Sequence, residues 1–117
     1  MVYDITDSES FQYLNLWLIE IEKNASKNVY KILIGNKCDL ESERKVTVEQ
    51  GEDFAAQNGM RFFETSAKES TNVSEAFITM TSDIIRSVKD KKIKPALYHF
   101  PHAFSNESTV LKKYISF

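Results

Sequence analysis

Seven consecutive residues, Val29-Tyr30-Lys31-Ile32-Leu33-Ile34-Gly35, are almost unbroken in β-branched and apolar side chains. A strand with one wet face alternates apolar and polar residues. A run that does not alternate belongs where both faces are covered, which is the setting of a parallel strand in an α/β layer. Parallel neighbours need crossover connections, so the flanking sequence must supply helices and further strands. It does. Met1 to Ile5 is short and β-prone, and Met60 to Phe63 reads as a third strand.

The connections have helical signatures. Behind the first strand, Thr6-Asp7-Ser8-Glu9-Ser10 is rich in capping residues, and from Phe11 the apolar positions Leu14, Trp17, Leu18 and Ile21 recur at three and four, fading in Asn24 to Asn28. Thr47-Val48-Glu49-Gln50 is a capping box that starts a second helix, and Asn58-Gly59 stops it. Asn72-Val73-Ser74-Glu75 reads as another capping box, followed by a stripe of Val73, Ala76, Phe77, Met80, Ile84 and Val88 that carries a third helix to about Lys89. The order predicts an α/β fold: a partial doubly wound parallel sheet of three strands alternating with three helices, packed on both faces.

The globular unit is expected over residues 1–94. From Pro95 the periodicity disappears into prolines, histidines and scattered aromatics, and residues 95–117 read as a disordered tail. The basic run Lys89 to Lys94 ahead of it reads as a solvated helix end. There is no internal repeat.

Composition narrows the function classes. A net charge of −2 over 117 residues gives no field that would draw the chain onto nucleic acid. With one cysteine, Cys38, no intrachain disulfide can form, and with no basic and apolar leader at the start the expected compartment is the cytoplasm. The three sequons at Asn24, Asn72 and Asn106 are taken as chance matches.

Two loops carry the chemistry. Asn36-Lys37-Cys38-Asp39 follows a buried strand directly, so it projects from the carboxyl edge of the sheet, where open α/β folds bind ligands. A carboxylate there can accept two parallel hydrogen bonds from the N1–H and N2–H2 edge that guanine has and adenine lacks. Asp39 is the specificity candidate. Glu64-Thr65-Ser66-Ala67-Lys68 ends the next strand in the same way, and its small side chains leave backbone amides open; the amide of Ala67 is suited to donate to the purine O6. Four letters of the N-K-x-D type occur by chance in many proteins. The second loop, at the same edge and one capped helix later, makes the pair specific.

These residues resemble the Rab branch of the Ras-like GTPases, from Val2 to about Lys92. The likeness rests on Val2-Tyr3-Asp4-Ile5-Thr6-Asp7, Ser10-Phe11, Trp17, Leu33-Ile34-Gly35-Asn36-Lys37-Cys38-Asp39-Leu40, Phe62-Phe63-Glu64-Thr65-Ser66-Ala67-Lys68, Asn72-Val73 and Ala76-Phe77. It implies the C-terminal portion of a P-loop GTPase G domain, with GTP or GDP as ligand. Asn36 would support the base edge and Lys37 would lay its stem along purine and ribose. Asp39 would grip N1 and N2, Ser66 and Ala67 would complete the base contact, and Lys68 would pack beside the purine and help hold the Asp39 loop. Cys38 occupies the variable position and reads as packing.

The resemblance also says what to expect elsewhere. A phosphate loop needs G-x-x-x-x-G-K-[ST], and none of Gly35, Gly51 and Gly59 fits it. The switch threonine and the D-x-x-G segment would precede the first strand. The expectation is therefore a chain with its N-terminal half missing, no catalytic and no metal residues, inactive as a hydrolase alone, with Mg2+ relevant only if the other half is supplied. The last residues, Tyr114-Ile115-Ser116-Phe117, hold no cysteine for a prenyl anchor. Three or four hydrogen bonds at about 1 kcal/mol net, or about 1.5 to 3 for those to Asp39, barely exceed the ~4 or more kcal/mol lost on association. Base contacts alone should give affinity near the millimolar range. The expected role is guanine-nucleotide binding within vesicle-mediated transport, with Rab regulators or effectors as further partners. The alternatives are a non-catalytic interaction module competing for those partners, or a truncated product without independent function.

Overall fold

The computed structural model describes residues 1–90. The expected boundary near residue 94 and the tail over 95–117 lie outside these residues. Three strands, β1 (Val2–Asp4), β2 (Ile32–Asn36) and β3 (Arg61–Thr65), form one parallel sheet in the order β1-β2-β3. Between and after them run α1 (Ser8–Gln12), α2 (Leu14–Asn24), α3 (Val48–Gln57) and α4 (Val73–Lys89), with a single 3-10 turn at Glu41–Glu43. The α/β alternation is as the sequence requires, with adjustments to individual elements. The first crossover helix is interrupted at Tyr13 into α1 and α2, although Tyr13 itself keeps right-handed helical angles. The second strand starts at Ile32, three residues later than its apolar run.

Pairing explains the shorter strand. β2 meets β3 from Ile32↔Arg61 to Asn36↔Thr65 and meets β1 from Val2↔Ile34 to Asp4↔Asn36. Among the described residues Val29 to Lys31 have no strand on either side; Val29 N–H closes a turn onto Ser26 O at 3.1 Å, and the Tyr30 hydroxyl hydrogen-bonds Ser87 on α4. β3 begins one residue later than expected because the end of α3 claims Met60. With Gly59 at φ +62°, Gly59 N–H bonds Ala56 O at 3.3 Å and Met60 N–H bonds Ala55 O at 2.8 Å, the paired closure of a glycine-terminated helix.

At its start α3 has the capping box read from the sequence: Gln50 N–H donates to Thr47 Oγ1 at 3.1 Å while Thr47 N–H donates to Gln50 Oε1 at 2.9 Å. The box read at Asn72 does not form. Asn72 is left-handed at φ 57°, makes no side-chain cap, and sends its amide to Glu64 O at 3.0 Å, so it ties the start of α4 to the end of β3.

Packing follows strand alternation. Tyr3, Ile5, Leu14, Leu33, Val46, Ala55 and Met60 form the core, with Phe11, Phe54 and Phe62 packed against it. Phe11 of α1 meets Tyr3 edge-on at 5.0 Å and Phe54 of α3 at 5.8 Å, so α1 and α3 share one face of the sheet. Arg61, one residue out of phase with Phe62, pairs with Asp83 of α4 on the other face. On α2, Leu14 and Leu18 are buried and Ile21 is partly so. Trp17, expected in the same stripe, is 61% exposed beside Tyr13 and Leu16, because it sits to one side of the Leu14 and Leu18 line.

The tightest contact is at Tyr3. Its ring end passes between β2 and α3: a Cβ at Gly35 would lie 2.7 Å from the Tyr3 hydroxyl, and one at Gly51 would lie 2.6 Å from the same oxygen and 2.5 Å from the Phe62 ring. The hydroxyl is buried without a hydrogen-bond partner among the described residues, and burial, helped by Glu64, pushes its pKa up to about 12. Gly51→Ala should therefore destabilise by about 1–3 kcal/mol through overpacking. That exceeds the ~1 kcal/mol gained by replacing glycine in a helix. Tyr3→Phe removes an unpaired buried hydroxyl and should be neutral or stabilise by about 1 kcal/mol. It should also lessen the cost of Gly51→Ala, since one clashing atom is gone. Urea denaturation of the two single variants and the double variant measures all three effects.

Candidate functional site

The parallel register brings the two loops together before any side chain is considered. Asn36 and Thr65 are Cα partners at the last rung of β2 and β3, so the loops that follow leave the sheet side by side. The rung continues into the loops, with Cys38 N–H donating to Thr65 O at 3.0 Å.

Asn36 joins them. Its Oδ1 accepts from the Thr65 hydroxyl at 3.1 Å and from the Ala67 N–H at 3.1 Å. Ser66, fully buried, makes the second link: its hydroxyl donates to Asp39 Oδ1 at 2.7 Å and accepts from Glu69 N–H at 3.0 Å. Ser66 and Thr71 exchange both backbone hydrogen bonds, at 3.1 and 3.0 Å, which closes the second loop on itself. Asp39 is exposed, and its Oδ2 carries no hydrogen bond among the described residues. An oriented carboxylate with one oxygen open and a lone pair remaining on the other suits a two-donor ligand edge.

Lys37 is left-handed at φ 67°. Its ammonium lies 2.6 Å from Asp4 Oδ2 at the end of β1, a contact that raises the Lys37 pKa. Burial works to raise the Asp4 carboxyl, but the hydrogen bonds from Lys37 and Thr6 outweigh it and hold it below its ordinary range. Cys38 is half-buried, and burial first, then Glu64 and Asp39, pushes its thiol up, away from nucleophilic character.

Of the six residues singled out from the sequence, five are thus joined by these contacts. Asn36, Ser66, Asp39 and Ala67 form one hydrogen-bonded unit, and Lys37 is tied beside it to β1. Lys68 is exposed and makes no ion pair among the described residues; Ser66 is the residue that holds the Asp39 loop. The Ala67 amide, read as open, is engaged by Asn36 Oδ1, so a purine O6 would share or displace that bond.

Sequence reasoning missed two supports. Arg44 is largely buried and forks onto Glu64, with bonds of 2.6 and 2.7 Å, while also donating to Val46 O at 2.9 Å and holding Glu41. It pins the segment after the first loop to β3 one residue before Thr65. Both Glu64 and Glu41 raise the Arg44 pKa, so the fork stays charged. The other support is Asp4, whose partner is far along the chain. No local pattern signals either contact.

Among the described residues no group of His, Cys, Asp or Glu side chains converges to hold a metal, and no helix is long and apolar enough to cross a membrane. A cleft of about 520 Å³ lined by Tyr30, Met60, Arg61, Met80 and Asp83 lies at the opposite, amino end of the strands, away from these loops.

This fold is a partial α/β domain of the P-loop GTPase kind. A sequence profile of the Ras family matches residues 1–86. "Ras-related protein Rab-13" from Bos taurus is 48% identical over 94 residues, which is 80% of this chain and 46% of that protein. "GTP-binding protein ypt2" from Schizosaccharomyces pombe is 48% identical over 93 residues, 80% of this chain and 44% of that protein. "Ras-related protein RIC1" from Oryza sativa subsp. japonica is 52% identical over 84 residues, 72% and 42%. The chain belongs to the Ras family, as a Rab-type small GTPase. It spans less than half the length of these relatives.

Asn36→Ala should leave the Thr65 hydroxyl and Ala67 amide without their acceptor and cost about 1–3 kcal/mol. The local signature is the sharper test: amide hydrogen exchange at Ala67 should accelerate while Leu33, deep in β2, stays protected. Unchanged exchange at Ala67 would mean that the two loops are held by other contacts.

Proposed function

We propose that the edge formed by Asn36, Lys37, Asp39, Ser66, Ala67 and Lys68 recognises the base of a guanine nucleotide, GTP or GDP. The observation that carries this reading is the hydrogen bond from Ser66 to Asp39 Oδ1 at 2.7 Å, which orients the carboxylate and leaves Oδ2 to accept. Guanine presents two donors in a row at N1 and N2, so an oriented carboxylate takes both; adenine presents no such pair. Asn36 and Ala67 stand beside it to meet the opposite, acceptor-bearing part of the base. By the family resemblance Lys37 and Lys68 would lay their long apolar stems against the base.

The phosphates and Mg2+ are assigned to sequence outside these residues. Magnesium, where bound, would supply positive charge that offsets the negative charge of the phosphates, and none of these residues is assigned to hold it. The chain has no G-x-x-x-x-G-K-[ST] run, so we assign base recognition to these residues and no hydrolytic step. At the level of the whole protein the reading is a small GTPase of vesicle-mediated transport acting in the cytoplasm with regulators and effectors of its family. One relative is itself named a GTP-binding protein.

The test is selectivity. Amide-resolved NMR titration of the chain should give a millimolar dissociation constant for GDP, with weaker binding of ADP and of xanthosine diphosphate. Asp39→Asn should reverse the last preference, because xanthine carries a carbonyl where guanine carries its amino group, and an asparagine amide can donate to it. A guanine preference that survives Asp39→Asn would overturn the assignment.

A further inference from the structure

We propose that Asp4 is a positioning residue for the base site: it anchors Lys37 along the sheet edge and keeps the lysine from closing onto Asp39. The inference rests on the reading of the Asn36 to Asp39 loop as the base-recognising loop.

The geometry is a chain of committed contacts. Asp4 and Asn36 are Cα partners at the last rung between β1 and β2, so Asp4 stands beside the residue that precedes Lys37. Asp4 Oδ1 is occupied by Thr6, which donates from its amide at 2.8 Å and from its hydroxyl at 2.7 Å. The other oxygen, Oδ2, receives the Lys37 ammonium at 2.6 Å. The Asp4 amide in turn donates to Ser10 Oγ at 3.0 Å, which fixes the turn that carries this carboxylate.

Lys37 is held at both ends. Its backbone is left-handed, a conformation that a lysine adopts only where the surroundings impose it, and its ammonium is tied to the neighbouring strand. The side chain is still 51% exposed, so its four methylenes offer surface to a flat ligand. A stem fixed before binding loses less rotamer freedom when a base packs on it. The second consequence is electrostatic. Asp39, two residues on, also attracts the Lys37 ammonium, yet the ion pair is with Asp4. Without the Asp4 charge, the carboxylates that still attract Lys37 are Asp39, which must accept from the base, and, more weakly, Asp7. Asp4 thus keeps a cation near the nucleotide and leaves Asp39 open.

The experiment is a double-variant cycle on the whole chain, with Asp4→Asn, Lys37→Gln and both together. GDP and ADP dissociation constants are read by amide-shift titration. Asparagine keeps an oxygen for Thr6 and removes only the charge. Coupling between exposed charged partners corresponds to about two- to fivefold in affinity. Asp4→Asn should weaken GDP binding by that factor in the native chain and have no effect once Lys37 is Gln. Thr6→Val, which loosens the carboxylate without touching Asp4 or Lys37, should act in the same direction by a smaller factor, and serves if Asp4→Asn loses the native amide spectrum. Unchanged GDP affinity, or an equal loss in the Lys37→Gln background, overturns the positioning role while leaving the base site intact. A native chain that does not prefer GDP over ADP overturns the base site, and this inference with it.

Discussion

One side-chain oxygen, Asn36 Oδ1, governs the relation between the two loops at the carboxyl edge of the sheet. It accepts from the Thr65 hydroxyl and from the Ala67 amide, both on the loop that leaves the neighbouring strand. The backbone register makes this possible, because parallel pairing of Asn36 with Thr65 ends both strands at one level and on one edge. In an antiparallel pair the loops after the two strands would lie at opposite ends of the sheet. The site is thus a product of βαβ topology, and the Asn36 contacts convert adjacency of two loops into one rigid unit. Ser66 then extends that unit to Asp39.

Further from the edge, the same unit depends on a close approach of sheet and helix. Tyr3 reaches between Gly35 and Gly51, and neither position tolerates a Cβ without movement. A buried aromatic ring fills that slot and contributes apolar area, at the cost of an unpaired hydroxyl. Because α3 supplies the connection between the two loops, its seating on Tyr3 and Phe62 sets where the second loop begins. Arg44 secures the remaining slack by pinning the segment after the first loop to Glu64. Both supports lie outside the residues that would touch a ligand.

Much of the fold was legible in the residues themselves. Apolar continuity through Ile32 to Ile34 announced a covered parallel strand, the Thr47 and Gln50 pair announced the start of α3, and Asn58-Gly59 announced its end. Each is a local signal, confined to neighbouring residues along the chain. The misread elements failed for want of tertiary information. Val29 to Lys31 have strand character but no strand beside them among the described residues. Asn72 looks like a helix cap, but Glu64 O takes its amide first. Trp17 belongs to the apolar repeat of α2 yet sits off the line that faces the core.

For the candidate site, sequence alone determined which residues stand at the sheet edge, since a strand followed by Asn36 to Asp39 and another followed by Thr65 to Lys68 must both open at the carboxyl end of a parallel pair. Sequence also determined the family, because those motifs recur with the order and spacing of a Rab-type GTPase. Tertiary structure decided how the residues are held: Asn36 Oδ1 on Ala67, Ser66 on Asp39, Arg44 on Glu64, and Lys37 on Asp4 rather than on Asp39. These partners are 20 to 33 residues apart in the chain, save for the local Glu41 bond of Arg44. Hydrogen-bond partners at such separations are chosen by distance and angle after folding, and no periodicity along the chain encodes them.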